Sequence, residues 1–241
     1  MKKVLLIVCV IGCLQISCAT YSYYQILSAT PSTNDIALTQ HNFKYIDGDC
    51  CVLYNFWSEY GNPGFSIYNN GNETIYVNLS ESFFVINDVA HDYFRNRISY
   101  TYNYGVKVAS ITEKEIIAIP PHSGKSFYEY KIDTSTHQEC GLISSPKKES
   151  ETFVYTKTSS PIVFRNIISY RKGNGESRII DNEFYISEIK NVSGSSFAEQ
   201  KILETKCKGQ KKEESVTIYN YKSPDKFYIP YTPSYYTNWA Y

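Results

Sequence analysis

Short strand-like segments recur along this chain, and turn residues separate them at close intervals. Clear examples are CCVLYNFW (50–57), TIYVNL (74–79) and RISYTYNY (97–104). In TIYVNL, Ile75 and Val77 alternate with Tyr76, so one face is apolar and the other carries polar tips. Because successive side chains of a strand point to opposite faces, this alternation predicts half-buried strands. The 24 tyrosines fit such strands, since each combines an apolar ring with a polar hydroxyl.

About ten such segments with little helical periodicity predict an all-β protein, an antiparallel β-sandwich. Only AEQKILETK (198–206) has helical spacing, so we expect at most one short helix. NGNE predicts a hairpin between 65–69 and 74–79, and GNG at 173–175 predicts a second one. The strand rhythm of residues 43–132 resembles an immunoglobulin-like sandwich.

The chain begins with a short basic and apolar leader. Lys2 and Lys3 precede an apolar run from Val4 to Leu14. This run is shorter than the roughly 20 apolar residues that a bilayer-crossing helix needs. It therefore predicts a signal peptide over residues 1–17 that is removed from the mature protein.

Two cysteines near the end of the leader follow small residues, Gly12 before Cys13 and Ser17 before Cys18. The stretch resembles a bacterial lipoprotein signal peptide, which implies a mature N-terminal cysteine carrying fatty acyl chains such as palmitate. We expect lipidation at Cys18, because the mature chain would then begin with polar residues. Cys13, which fits the cleavage box more closely, is the alternative. A secreted protein without lipid is the other interpretation.

The mature part of the chain divides into a polar start and a strand-rich remainder. Residues 18–40 lack sustained periodicity and predict a tether. Residues 41–241 are expected to form the sandwich domain, with two β subdomains divided near residue 145 as an alternative.

Four cysteines follow the leader: Cys50, Cys51, Cys140 and Cys207. In an oxidising compartment they permit three pairings. A bridge between neighbouring cysteines is strained, so we expect Cys50 or Cys51 to pair with Cys140 or Cys207. Four unpaired thiols that pack as small apolar side chains are the alternative.

Charge and motifs exclude several function classes. Without the leader, 22 basic residues face 24 acidic ones, and this net charge of −2 does not predict a nucleic-acid partner. No G-x-S-x-G motif is present, and the four histidines are far apart in sequence. Asp88, His91 and Asp92 give too few metal ligands in one segment, as do Asp47 and Asp49. We therefore expect no catalytic residue, no metal and no cofactor.

Tyrosines supply the remaining candidate surface. Tyr100, Tyr102 and Tyr104 lie on one face of a predicted strand, and Trp239 lies in the aromatic C-terminal stretch 228–241. Aromatic rings with polar tips suit the binding of a protein or a glycan. The alternative is that alternating tyrosines simply cover a sheet.

The leader MKKVLLIV…SC, together with GFSIYNNGNETIYVNLSESFFVINDVAHDYFRNR (64–97), resembles the envelope lipoproteins of Bacteroidetes. The resemblance implies an outer membrane lipoprotein that contacts the membrane through its lipid anchor. The leader cysteine, the strand rhythm and the missing catalytic motifs lead us to expect a non-enzymatic binding or structural module of the cell envelope. An envelope hydrolase that acts on glycans, with a site assembled from loops, is the alternative.

Overall fold

A computed structural model describes residues 23–103, 106–111, 113–137, 152–207 and 210–231. For 98–103, 106–111, 205–207, 210 and 212 it describes the backbone alone. One helical turn occurs in these ranges, α1 (Gly194–Phe197), and none of their helices is long and apolar enough to span a membrane. The first strands are β1 (Tyr23–Pro31), β2 (Ala37–Leu38), β3 (Phe43–Asp47), β4 (Cys50–Tyr54), β5 (Phe65–Asn69), β6 (Ile75–Ile86), β7 (Val89–Asp92), β8 (Ile98–Asn103) and β9 (Val106–Ile111). The later strands are β10 (Ile116–Ile119), β11 (Ser123–Phe127), β12 (Thr152–Val154), β13 (Val163–Lys172), β14 (Ser177–Ser193), β15 (Ala198–Cys207), β16 (Gln210–Tyr219) and β17 (Lys226–Tyr231).

Antiparallel pairing organises these strands into two main sheets. The larger sheet follows the order β10-β6-β13-β14-β1-β17, with β7 and β12 paired at its sides. The smaller sheet follows the order β11-β5-β4-β3-β2, and β8–β9 and β15–β16 form separate hairpins. This arrangement confirms the predicted all-β, antiparallel β-sandwich. The immunoglobulin-like part of that prediction concerns strand connectivity and stays a prediction.

Aromatic side chains join the two sheets. The ring of Phe184 on β14 lies 5.3 Å from the ring of Phe43 on β3 and 5.2 Å from that of Tyr54 on β4. Phe56, just beyond β4, adds an edge-on contact with Phe184 at 5.0 Å. All four side chains are buried. Burial of each such ring contributes roughly 1.5–3 kcal/mol, so this cluster holds the sandwich together.

The predicted tether contains a central strand of the larger sheet. β1 lies between β14 and β17, and its first residue, Tyr23, pairs with Ser193 and with Tyr231. β1 is buried on both faces, because Leu27 enters the main core and Ile26 a second cluster. A strand that is covered on both sides shows no alternation of apolar and polar residues, so its sequence does not predict a strand. The tether prediction is therefore wrong from Tyr23 onward; residues 18–22 lie outside the described ranges.

The NGNE stretch does not close a hairpin. β5 belongs to the smaller sheet and β6 to the larger one, so the chain crosses between sheets at this point. The buried side chain of Asn69 donates to the carbonyls of Glu73 and Ile119 and accepts from the amide of Gly71. These bonds satisfy backbone groups at the crossing. The predicted NGNE hairpin is therefore wrong, because the two strands belong to different sheets. The GNG hairpin is confirmed, since β13 pairs with β14 across it.

Strands from both halves of the chain form one sheet. β6 pairs with β13, and β1 pairs with both β14 and β17. The alternative of two β subdomains divided near residue 145 is therefore wrong for the larger sheet.

The segment with helical spacing is a strand. Residues 198–207 form β15, which pairs with β16 over ten residue positions. The helical turn precedes it, and the Ser193 hydroxyl caps that turn by accepting a bond from the Ser196 amide. Cross-strand pairing outweighs the short helical pattern of 198–206, because propensity is weaker than tertiary context.

Candidate functional site

A shallow depression of about 370 Å³ lies on the outer side of the smaller sheet. Leu53 of β4 and Ser66 of β5 form its floor, because their neighbours along each strand point into the core. Trp57 and Tyr128 supply its aromatic side chains. Its remaining lining residues are Asn42, Asn55, Asn62, Gly64 and Lys222.

Trp57 is held in place by three aromatic side chains that lie next to the depression but do not line it. Its ring lies 5.3 Å from the ring of Tyr228, 5.7 Å from that of Tyr219 and 6.2 Å from that of Phe197. The neighbouring Phe56 enters the main core, whereas Trp57 packs against the second, smaller cluster around Phe197. The depression therefore contains an indole whose position is set before any ligand arrives.

Tyr128 stands at the other side of the depression and is 61% exposed. Gly64 permits its position, because a Cβ there would lie 2.6 Å from Cδ1 of Tyr128 and 2.4 Å from the carbonyl oxygen of Phe127. The Tyr128 hydroxyl lies 3.3 Å from the hydroxyl of Ser66. The ring is thus exposed and its hydroxyl is held by the sheet.

Asparagine side chains order the loop between β4 and β5. The amide of Asn55 donates to the carbonyl of His41 at 2.9 Å and accepts from the amide of Trp57 at 3.0 Å. The carbonyl oxygen of Asn62 accepts from the amide of Gly64 at 2.9 Å. This loop presents amide groups beside two aromatic rings, a combination typical of sites that bind neutral polar ligands.

The described lining of the depression contains amides, a hydroxyl, a phenol and an ammonium group, and none of its residues is Asp, Glu, His or Cys. Of the residue types that serve in acid–base or nucleophilic catalysis, the lining contains Ser66, Tyr128 and Lys222. The arrangement can stack an apolar ligand face on the aromatic rings and hydrogen-bond to its edge.

A second, charged cleft of about 580 Å³ lies where turns of the two sheets meet. The carboxylate of Asp47 on β3 accepts a 2.6 Å hydrogen bond from the hydroxyl of Tyr170 on β13. Asp47 also lies 3.4 Å from a guanidinium nitrogen of Arg178, and Asp49 pairs with Lys172. These contacts join one sheet to the other, so they stabilise this end of the sandwich. Burial and the bond to Asp47 raise the pKa of Tyr170.

Cys50 and Cys51 are free cysteines, and both are buried. The structure therefore has no disulfide at either position, in contrast to the expected pairing of one of them with Cys140 or Cys207. Burial, followed by the nearby charge of Asp47, raises the pKa of the Cys50 thiol to about 12. Such a thiol stays protonated and unreactive. Cys140 lies outside the described residues, and Cys207 ends β15 with its side chain outside the description.

The predicted tyrosine surface is only partly within the described chain. Tyr100 and Tyr102 lie on β8, which pairs with β9, and the description there covers the backbone alone. Tyr104 and Trp239 lie outside the described residues, as do the lipidation candidates Cys13 and Cys18.

Two of the four histidines contact other side chains in the described residues. His91 on β7 stacks on Phe84, and the imidazole of His137 lies 3.0 Å from the carboxylate of Asp133. In the ranges that the structure describes, no group of three or more His, Cys, Asp or Glu side chains could hold a metal ion.

Trp57 and Tyr128 are the functional candidates that the sequence interpretation missed. Trp57 is one of only two tryptophans in the chain and stands just before the turn SEYGNPG. A tryptophan between a strand and a turn is a sequence feature that indicates a candidate binding residue, and Trp57 has it. No sequence pattern connects it to Tyr128, which is 71 positions further along the chain.

Comparison of the chain with protein-family models, with curated proteins and with solved structures gives no match.

Proposed function

We propose that this chain is a lipid-anchored, non-enzymatic protein of the bacterial envelope that binds a glycan in the Trp57–Tyr128 depression. The observation that carries the proposal is the pairing of a fixed indole with an exposed phenol beside ordered asparagine amides. Sugar rings have apolar C–H faces that pack on aromatic rings and hydroxyl edges that hydrogen-bond to amides. The depression offers both kinds of contact within one surface.

The lipid anchor rests on the sequence. One small residue, Ser17, directly precedes Cys18 at the end of a leader too short to cross a bilayer. The thiol of a mature N-terminal cysteine can carry a diacylglycerol, and its freed amino group can be acylated as well. Two or more chains give stable attachment, whereas one chain holds only marginally.

An envelope glycan hydrolase is the second candidate, and the charged cleft is the observation in its favour. Asp47, Asp49, Glu73 and Glu176 all line that cleft. A glycosidase needs one carboxylic acid that holds a proton beside a second carboxylate. Here Asp47 and Asp49 each contact a cationic side chain, Arg178 and Lys172, which suits structural ion pairs better than a proton donor.

A glycan screen with product analysis separates the two candidates. The purified mature protein is run in native gels containing soluble β-glucan, mannan, xylan or chitin oligosaccharides, and the same mixtures are examined by chromatography. We expect retardation by at least one glycan, because the depression binds it, and no shortened products. Retardation by none of them would contradict glycan binding. Accumulating products that disappear in Glu73→Gln would favour the hydrolase.

A further inference from the structure

We propose that the end of the larger sheet where β1 begins lies against the membrane, and that the charged cleft faces away from it. This inference rests on the lipid anchor of the proposed function. It adds the surface that meets the lipid headgroups and the surface that stays available to soluble partners.

The linker between the anchor and the sandwich is short. β1 begins at Tyr23, five residues after Cys18. A fully extended chain spans at most about 3.3–3.6 Å per residue, so five residues reach about 18 Å at most. Tyr23 is also locked in register, because it pairs with Ser193 on one side and Tyr231 on the other. Three strand termini are therefore confined close to the bilayer surface.

Tyrosine side chains mark this end of the sheet. The rings of Tyr23 and Tyr231 lie 5.7 Å apart; the hydroxyl of Tyr231 is buried, so Tyr23 is the described tyrosine whose polar tip can meet the headgroups. The sequence that continues directly from Tyr231 is TPSYYTNWAY (232–241), which is rich in aromatic residues. Tyrosine and tryptophan are enriched where membrane proteins meet lipid headgroups, because their rings are apolar and their tips polar. The N-terminal anchor and the aromatic C-terminal stretch thus join adjacent strands at one end.

The opposite end of the same sheet carries the charged cleft. β14 contains 17 residues, and it runs from Ser177 at the cleft to Ser193 beside Tyr23. At about 3.3 Å per residue, a strand of this length spans up to about 55 Å. Arg178 and Lys172 of the cleft therefore lie at the end of the sheet far from Tyr23. A soluble partner would reach this end first.

The Trp57–Tyr128 depression then lies on the flank of the molecule. Trp57 contacts Tyr228, which pairs with Ile26 three positions along β1 from Tyr23. Three strand residues correspond to about 10 Å, so Trp57 belongs to the half near the membrane. A glycan chain would reach it from the side, parallel to the bilayer surface.

Energy transfer from tryptophan to a dansyl group on lipid headgroups tests the orientation. The chain has two tryptophans, and the background Trp57→Phe/Trp239→Phe removes both. A single reporter is then introduced as Tyr23→Trp at the proximal end or as Glu176→Trp at the cleft. The lipidated protein is placed in vesicles of phosphatidylethanolamine and phosphatidylglycerol that contain dansyl-phosphatidylethanolamine.

We expect several-fold more transfer from Tyr23→Trp than from Glu176→Trp. Equal transfer, or more from Glu176→Trp, in protein that floats with the vesicles would overturn the orientation and leave the anchor standing. Protein that does not float would overturn the anchor itself, and the orientation with it. Tyr231→Trp, at the position paired with Tyr23, replaces the first reporter if Tyr23→Trp fails to fold.

Discussion

The side-chain amide of Asn182 donates a 2.8 Å hydrogen bond to the hydroxyl of Tyr54 inside the sandwich. Asn182 lies on β14 of the larger sheet and Tyr54 on β4 of the smaller one, and both are buried. Burial raises the pKa of Tyr54, so its hydroxyl stays neutral. The bond crosses from one sheet to the other and fixes how they face each other, which aromatic packing alone specifies less sharply.

Removing the Tyr54 hydroxyl should destabilise the fold. Tyr54→Phe leaves the buried amide of Asn182 without this partner, and an unsatisfied buried polar group costs about 1–3 kcal/mol. Urea unfolding followed by circular dichroism measures the loss. Tyr128→Phe is the matched control, since that ring is 61% exposed and should change stability by no more than about 0.5 kcal/mol.

A double substitution provides the stricter check on the same bond. Tyr54→Phe/Asn182→Leu replaces both polar partners by apolar groups, which is often close to neutral. The double variant should therefore be more stable than Tyr54→Phe alone. Equal or lower stability would show that the amide of Asn182 is satisfied in another way.

The fold class could be predicted from the sequence because strand alternation is a local property. Ile75 and Val77 show it within a few residues, and the GNG turn carries its own hairpin signal. The position of β1 could not be predicted, because this strand contains the polar residue Gln25 in a buried position. The side chain of Gln25 is satisfied there by hydrogen bonds to the backbone of His137, 112 positions away. The crossing at Asn69 depends in the same way on the distant carbonyl of Ile119.

The candidate site was harder to predict than the fold. Trp57 and Tyr128 meet at the depression only because β5 brings Gly64 beside Phe127 at the end of β11. That pairing joins residues far apart in the chain, and no periodicity within either segment reports it. The spacing of Tyr100 and Tyr102, by contrast, lies within one strand, and for that reason the sequence predicts a surface there.

The thiol of Cys50 should resist alkylation in the folded protein. Its pKa rises from an ordinary value of 9.0 to about 12. At pH 8 this rise lowers the reactive thiolate fraction roughly a thousandfold. Iodoacetamide labelling followed by tandem mass spectrometry should modify Cys50 slowly in buffer and rapidly in urea. Equal rates in the two conditions, or a disulfide at Cys50, would contradict the buried free thiol.

Low pH should weaken the segment around Asp133. Burial opposes its charge, but the imidazole of His137 at 3.0 Å and hydrogen bonds from the amide and hydroxyl of Ser135 outweigh this and lower the pKa of Asp133. A carboxylate with a lowered folded-state pKa stabilises the fold above its unfolded pKa of about 4, and this contribution disappears as the pH falls through the lower folded value. The wild type should exceed Asp133→Asn in unfolding free energy at pH 7, and the difference should shrink by pH 3. A difference independent of pH would refute the assignment.

The lipid anchor predicts a change of location. Cys18→Ala should release the protein from the membrane fraction after osmotic shock, because no thiol remains at the mature N-terminus. Cys13→Ala is the matched control and should leave the protein in membranes. Mass spectrometry of the N-terminal peptide should show acyl chains on Cys18. Retention of Cys18→Ala together with release of Cys13→Ala would assign the anchor to Cys13 instead.

The most direct measurement for glycan binding compares two tyrosines on the same sheet. Tyr128 lines the depression. Tyr68 is 39% exposed on the outer side of β5 but does not line the depression. Calorimetric titration with the glycan retained in the screen should give at least tenfold weaker binding for Tyr128→Ala, equal to about 1.4 kcal/mol. Tyr68→Ala should bind like the wild type. Equal affinity for all three proteins would show that the depression is not where the glycan binds.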